Sequence, residues 1–213
     1  MPYSRNNPSP RYLELTALYR RLHCEGEKSM QLTPAETYPG ISLLPHVRRI
    51  KKLIQQTGAT TVLDYGCGKG MQYEPHNLKV PDEGVFEGVI EYWDIDEVRC
   101  YDPCYERYSK LPEEQFDGVI STDVLEHCPE ADMPWIVNEM FSYARRFVFA
   151  AIACYAAKSM LPNGENAHTT IRPSGWWHEL FAATAAKYPG VTWKIIVEVH
   201  ADDGHREHGT IGA

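Results

Sequence analysis

The feature that most constrains this chain is a β-branched, apolar run, Thr60-Thr61-Val62-Leu63, that stops at an acid and three alternating glycines, Asp64-Tyr65-Gly66-Cys67-Gly68-Lys69-Gly70. Such a run reads as a strand buried on both faces, and glycines at its carboxyl end read as a tight turn out of the sheet. The same theme recurs downstream. Strands are expected over 98–101, 116–121, 147–153 and 192–199, and helices over 13–23, 44–56, 133–144 and 174–187, the last with Ser174 as its N-cap. Strands alternating with helices predict an α/β fold, a doubly wound and mostly parallel sheet with helices on both faces. Residues 1–58 read as an N-terminal extension, a loose proline-containing arm followed by helices that pack over the site. Residues 59–213 read as the core, and the whole as one structural domain.

Composition narrows the function classes. With 213 residues, 43% hydrophobic and 23% charged, the chain suits a single globular domain. No apolar stretch is long enough to span a bilayer, and the N-terminus lacks the apolar core of a secretory signal, so a cytoplasmic protein with no membrane partner is expected. The six cysteines show no paired spacing and are expected to be free thiols. A formal charge of −8 disfavours a broad nucleic-acid surface. The basic cluster Arg48, Arg49, Lys51 and Lys52 alternates with Val47, Ile50, Leu53 and Ile54, and so reads as the wet side of a packed helix.

In open α/β sheets ligands sit beyond the carboxyl ends of the strands, where the glycine loop lies. A dinucleotide-binding loop needs glycines at relative positions one, three and six. Here the glycines fall at 66, 68 and 70, and Met71 holds the sixth position. That spacing excludes a dinucleotide fingerprint. The run Val62-Leu63-Asp64-Tyr65-Gly66-Cys67-Gly68-Lys69-Gly70 instead resembles the first motif of class I (Rossmann-like) S-adenosylmethionine-dependent methyltransferases. Two more segments extend the likeness in order. Arg99-Cys100-Tyr101-Asp102-Pro103 supplies an acid at a strand end, and Phe116-Asp117-Gly118-Val119-Ile120-Ser121-Thr122-Asp123-Val124-Leu125-Glu126-His127 is similar to a segment common in small-molecule methyltransferases. Together the likeness covers mainly residues 61–129.

The resemblance implies a function and a set of residues. The cofactor would be S-adenosylmethionine, leaving S-adenosylhomocysteine as product, and the acceptor a small molecule. Asp64, Gly66, Cys67, Gly68 and Gly70 would meet the amino-acid end of the cofactor, with Asp64 organising the loop and its ammonium group. Asp102, next to Pro103, would take the ribose hydroxyls, since one carboxylate offers two acceptor oxygens; its plainer reading is a strand-end turn. Ser121, Thr122 and Asp123 would wall the methionine portion. Tyr73 is a candidate to face the sulfonium, or else a core residue. His168 and His127 are the candidate catalytic residues, His168 as general base; the plainer reading is a structural hydrogen bond for His168, and hydrogen bonding with packing for His127.

The chain departs from the family pattern in two places. Asp102 lies 38 positions beyond Asp64 because of an insertion over 74–97, which reads as a flap. Between the second and third motifs only residues 104–115 remain, too few for the usual helix, strand and helix, so one usual strand is expected to be missing and adenine recognition is unassigned. Trp176 and Trp177 cannot face the same way, and one is expected in the core, the other at a pocket wall. The histidines and acids of 200–208 match no standard metal spacing; a polar hairpin turn and no metal are expected. Two alternatives stand beside the small-molecule reading: methylation of nucleic acid or protein, and a non-catalytic module that only binds the cofactor.

Overall fold

The computed structural model describes residues 2–200 and 206–212. Helix α1 (Pro10–Glu25) opens the chain and α2 (Val47–Thr57) follows, with a 3-10 segment at Ile41–His46 leading into it. Next come β1 (Thr61–Tyr65), the hairpin of β2 (Leu78–Val80) and β3 (Gly84–Phe86), the short α3 (Val89–Trp93) and β4 (Glu97–Tyr101). Strand β5 (Phe116–Thr122), α4 (Met133–Tyr143), β6 (Ala144–Ala153), α5 (Ser174–Ala185), β7 (Thr192–His200) and β8 (Arg206–Gly212) complete it.

The main sheet runs β4-β1-β5-β6-β7-β8, parallel through β7, with β8 antiparallel at its edge. This is the expected Rossmann-like α/β architecture. Strand side chains alternate between faces, so neighbours along a strand enter different cores. Leu63, Val119, Val148, Ala150 and Ile195 pack with Ile136, Met140 and Phe141 of α4 and Trp177 and Phe181 of α5. Val62, Ile120, Phe149, Ala151 and Ile196 pack on the opposite face with Ile50 and Leu53 of α2 and Trp93 of α3. Residues 102–115 contain one 3-10 turn and no strand, so β4 closes its side of the sheet, as the short 104–115 segment led one to expect.

Several expectations are corrected. The first residues are anchored: the Arg5 guanidinium forks onto the Glu139 carboxylate and donates to the hydroxyls of Tyr101 at 2.8 Å and Tyr65 at 2.9 Å. Ser9 caps α1 by accepting from the Tyr12 N–H, and both its N–H and its hydroxyl donate to buried Asp132. With that cap, Pro10 starts the helix, three residues before Leu13. Pro45 keeps 41–46 in a 3-10 form, so α2 starts at Val47; it ends at Gly58, which takes the left-handed conformation with φ 66°. Ser174 is the first residue of α5, and Pro173 holds the cap position.

The insertion is not a flap. Its hairpin and α3 fold onto α2, with Val89, Tyr92 and Trp93 buried, because α2 presents an apolar stripe that needs a cover. The wet side of α2 meets the same unit: Arg48 and Lys51 reach Glu83, and the Lys51 ammonium lies 3.8 Å from the centre of the Tyr92 ring. Trp177 is fully buried, and Trp176 is half-buried against the same core and lines neither of the two cavities described below. Asp117 is structural, accepting from the Thr60 N–H and facing Arg145 and Arg146. All six cysteines are free. The hairpin turn expected within 200–208 falls largely on 201–205, outside the described residues. No described helix is long and apolar enough to cross a membrane.

Candidate functional site

From β1 the chain crosses to β4 on one side, and from there back to β5 on the other. The carboxyl edge where β1 and β5 adjoin is therefore the switch point at which open sheets bind ligands. A cavity of about 310 Å³ lies there, reached by Gly66 and Gly68, Asp102 and Pro103, and Thr122 and Asp123. Three segments remote in sequence thus meet around one space. Tyr19 and His23 of α1 and Tyr38 to Ser42 form its outer wall. A second cavity of about 290 Å³ adjoins it; Tyr38, Ser42, Asp123 and His127 line both, while His46, Tyr155, His168 and Glu198 line the second only.

The glycine loop is built against protein as much as toward the cavity. Gly66, Gly68 and Gly70 all have positive φ, which L side chains adopt only with strain. A Cβ on Gly66 would lie 2.5 Å from Val124, and one on Gly68 would lie 2.4 Å from the Tyr38 carbonyl oxygen. The segment before the 3-10 turn is bonded directly to this loop: Lys69 N–H donates to Tyr38 O at 2.9 Å and Met71 N–H to Pro39 O at 3.0 Å. Lys69 also reaches the Thr37 carbonyl with its ammonium.

Not all the expected residues border the cavity. Asp64 is buried behind the loop and accepts from Tyr73 Oη at 2.8 Å and Gln72 Nε2 at 3.0 Å, so it braces the turn after Gly70. Burial pushes its carboxyl up to about 7, against the opposing pull of those two hydrogen bonds. Tyr73 itself packs against Trp93, and Cys67, Gly70 and Ser121 also lie off both cavity walls. Ser121 instead donates its hydroxyl to Tyr65 O at 2.8 Å, tying β5 to β1.

Asp102 does border the cavity. Its two oxygens accept from Gly68 N–H at 3.0 Å and Cys104 N–H at 2.8 Å, which fixes the carboxylate's orientation and leaves a lone pair on each oxygen. Burial raises it to about 6, although these backbone bonds and Lys69 favour the ionised form. Among the charged side chains of the described walls acids outnumber bases: Glu27, Glu36, Asp102, Asp123 and Glu198 line the two cavities against Lys158. Such a lining suits a cationic guest.

The two histidines stand together, which their separation in sequence does not show. His127 and His168 are edge to face with ring centroids 4.8 Å apart. The loop carrying His168 is tied down by Asn166, whose side chain bonds Ala157 and the His168 N–H, and by Thr169 and Thr170, whose N–H groups donate to Glu126 O. Nδ1 of His168 lies 2.6 Å from Tyr155 O, so that nitrogen carries the hydrogen. Nδ1 of His127 lies 3.0 Å from both Ala167 O and Tyr19 Oη, and the Tyr19 hydroxyl donates to the same carbonyl. Only a hydrogen on His127 Nδ1 satisfies all three contacts. Burial pushes His127 down to about 4, with Asp123 acting in the other direction. Asp123, just past the end of β5, sits at φ 60°, a left-handed conformation uncommon outside glycine, and lines both cavities.

Tyr38, in the 38–42 segment expected to reach the strand ends, lines both cavities, whereas Tyr19, His23 and Glu126 are site residues to which sequence reasoning gave no role. Tyr19 had a signal, since Leu15, Tyr19 and Leu22 share one helix face. Glu126 is wholly buried, one oxygen accepting from Ala153 N–H at 2.6 Å, and burial together with Asp123 holds its carboxyl well above the usual range. Compared with known proteins, the chain matches no family model, no curated protein and no solved structure.

Proposed function

We propose that this protein is a cytoplasmic class I S-adenosylmethionine-dependent methyltransferase acting on a small-molecule acceptor. The observation that carries this reading is the convergence of the glycine loop, Asp102 and the Thr122–Asp123 strand end on one cavity of about 310 Å³ at the switch point. An acidic lining favours the reading further, because the donor carries a sulfonium charge. The second cavity, about 290 Å³, is of a size for a small acceptor rather than a polymer.

In this reading Gly66 and Gly68 hold the amino-acid end of the donor through their backbone, and Asp102, oriented by Gly68 and Cys104, accepts from the ribose hydroxyls. Asp64 and Tyr73 act from behind the loop by holding its turn in place. Thr122 and Asp123 wall the opening toward the acceptor, where His127 and His168 stand with Nδ1 tied to backbone carbonyls. When bound, the donor supplies an electrophilic methyl group, and the protein's contribution is to align that group with the acceptor and to exclude water.

Calorimetry with S-adenosylmethionine and S-adenosylhomocysteine tests the premise, and labelled-methyl transfer into a small-molecule extract tests the chemistry. Binding of both ligands at one site per chain is expected. Folded protein that binds neither would end the methyltransferase reading.

A further inference from the structure

We propose that Asp123, His127 and His168 form a binding site for a divalent first-row transition cation at the opening between the two cavities. Each offers a ligand atom, and these atoms lie within 4.8 Å of one another. Asp123 and His127 line both cavities and His168 lines the second, so an ion held there would face both guests.

The tautomers match what a metal requires. Ligating imidazoles commonly give their other N–H to a backbone carbonyl, which fixes the ring and makes the free nitrogen more basic. His127 gives Nδ1 to Ala167 O and His168 gives Nδ1 to Tyr155 O, and among the described residues no donor reaches either Nε2. A second observation is geometric. Glu126, next to His127, is 0% exposed, and among the described residues its Oε2 has no hydrogen-bond partner. A buried carboxyl oxygen without a donor is costly. A cation held at the neighbouring Asp123 and His127 would set positive charge near that carboxyl and favour its ionised form.

Two imidazoles with one carboxylate favour manganese, iron, cobalt or zinc over calcium and magnesium, which prefer oxygen ligands throughout. Three protein ligands leave coordination positions open. The catalytic use of the ion rests on the methyltransferase reading, although its binding does not. An acceptor hydroxyl on the ion loses its proton to water, and its oxygen pair then takes the methyl carbon as the carbon–sulfur bond breaks and the sulfur keeps that pair. The acceptor class is therefore a hydroxyl compound, and the histidines hold the ion instead of taking the proton.

The test uses tag-free, chelator-treated protein titrated with Co²⁺ and followed by visible absorption, with S-adenosylhomocysteine calorimetry run separately in chelator. Wild-type protein and the control His178→Ala should each show a band saturating at one equivalent. Asp123→Asn and His168→Ala should bind Co²⁺ at least tenfold more weakly. His168→Gln takes the place of His168→Ala if the latter fails to fold. Absence of a Co²⁺ band in wild-type protein, or equal affinity in the site variants, overturns the proposal. Homocysteine-ligand binding without Co²⁺ binding removes the metal alone; Co²⁺ binding without homocysteine-ligand binding keeps the metal and removes the methyl donor.

Discussion

The backbone N–H of Lys69 donates to the carbonyl of Tyr38 at 2.9 Å, and this bond makes the glycine loop and the segment ahead of α2 a single wall. Tyr38 is itself held at φ 51° and lines both cavities. Residues before the sheet therefore shape the site as directly as the strand ends do.

Gly68→Ala puts a Cβ 2.4 Å from Tyr38 O at φ +59°, so both contact and backbone oppose it. A stability loss of about 1 to 3 kcal/mol is expected, together with weaker S-adenosylhomocysteine binding, as Tyr38 is forced away. Thermal unfolding and calorimetry read the two effects. A variant as stable as wild type would mean that the loop and the Tyr38 segment do not touch in solution.

Asp102→Ala removes the carboxylate that both orients the loop and reaches the cavity. Affinity for S-adenosylhomocysteine should fall by about 1 to 3 kcal/mol. Adenosine alone should lose comparably, because the ribose is the part concerned. If the loss appears with methionine-end fragments and not with adenosine, Asp102 serves the other end of the donor.

The fold was legible because its signals are local. Val62 and Leu63, or Val119 and Ile120, alternate between two cores, and that pattern needs only a strand with helices on both sides. Asp102 and the glycine loop were legible for the same reason, being strand ends. Tyr73 and Asp64 were placed at the correct turn, but whether they face ligand or core depends on Trp93 and Gln72, contacts that no spacing encodes. The pairing of His127 with His168 arises from Thr169 and Thr170 bonding back to Glu126, a link invisible to local periodicity. The insertion was misread because α2's need for a cover is a tertiary fact.

Arg5→Ala should destabilise the protein although Arg5 is remote from the cavity walls. Its loss strands Glu139 beside the Tyr65 hydroxyl, which donates to the same carboxylate at 2.7 Å. The Arg5 side chain is 33% exposed, so solvent offsets part of the cost and a loss of about 1 to 2 kcal/mol is expected in urea unfolding. Arg5→Lys should recover only part of it, since an ammonium cannot fork across both oxygens. Full recovery by lysine would reduce the role of Arg5 to charge alone.

The raised carboxyls give a pH signature with a definite sign. Asp64, about 7 in the folded protein against an ordinary 3.8, keeps its proton in the native state over a range where the unfolded chain has lost it. Its stabilising contribution is therefore complete below the unfolded value and is lost as pH rises through about 7. Ligand-free protein should accordingly lose thermal stability across that window, and Asp64→Asn, which stays neutral, should flatten the trend. Donor affinity should move the opposite way: Asp102, at about 6, accepts ribose hydroxyls best when ionised, so binding tightens as pH climbs through that value. Unfolding temperatures of wild type and Asp64→Asn, measured with and without S-adenosylhomocysteine over this range, separate the two trends. An unchanged slope in Asp64→Asn would assign the stability trend to other groups, and pH-independent affinity would leave Asp102 without its role at the ribose.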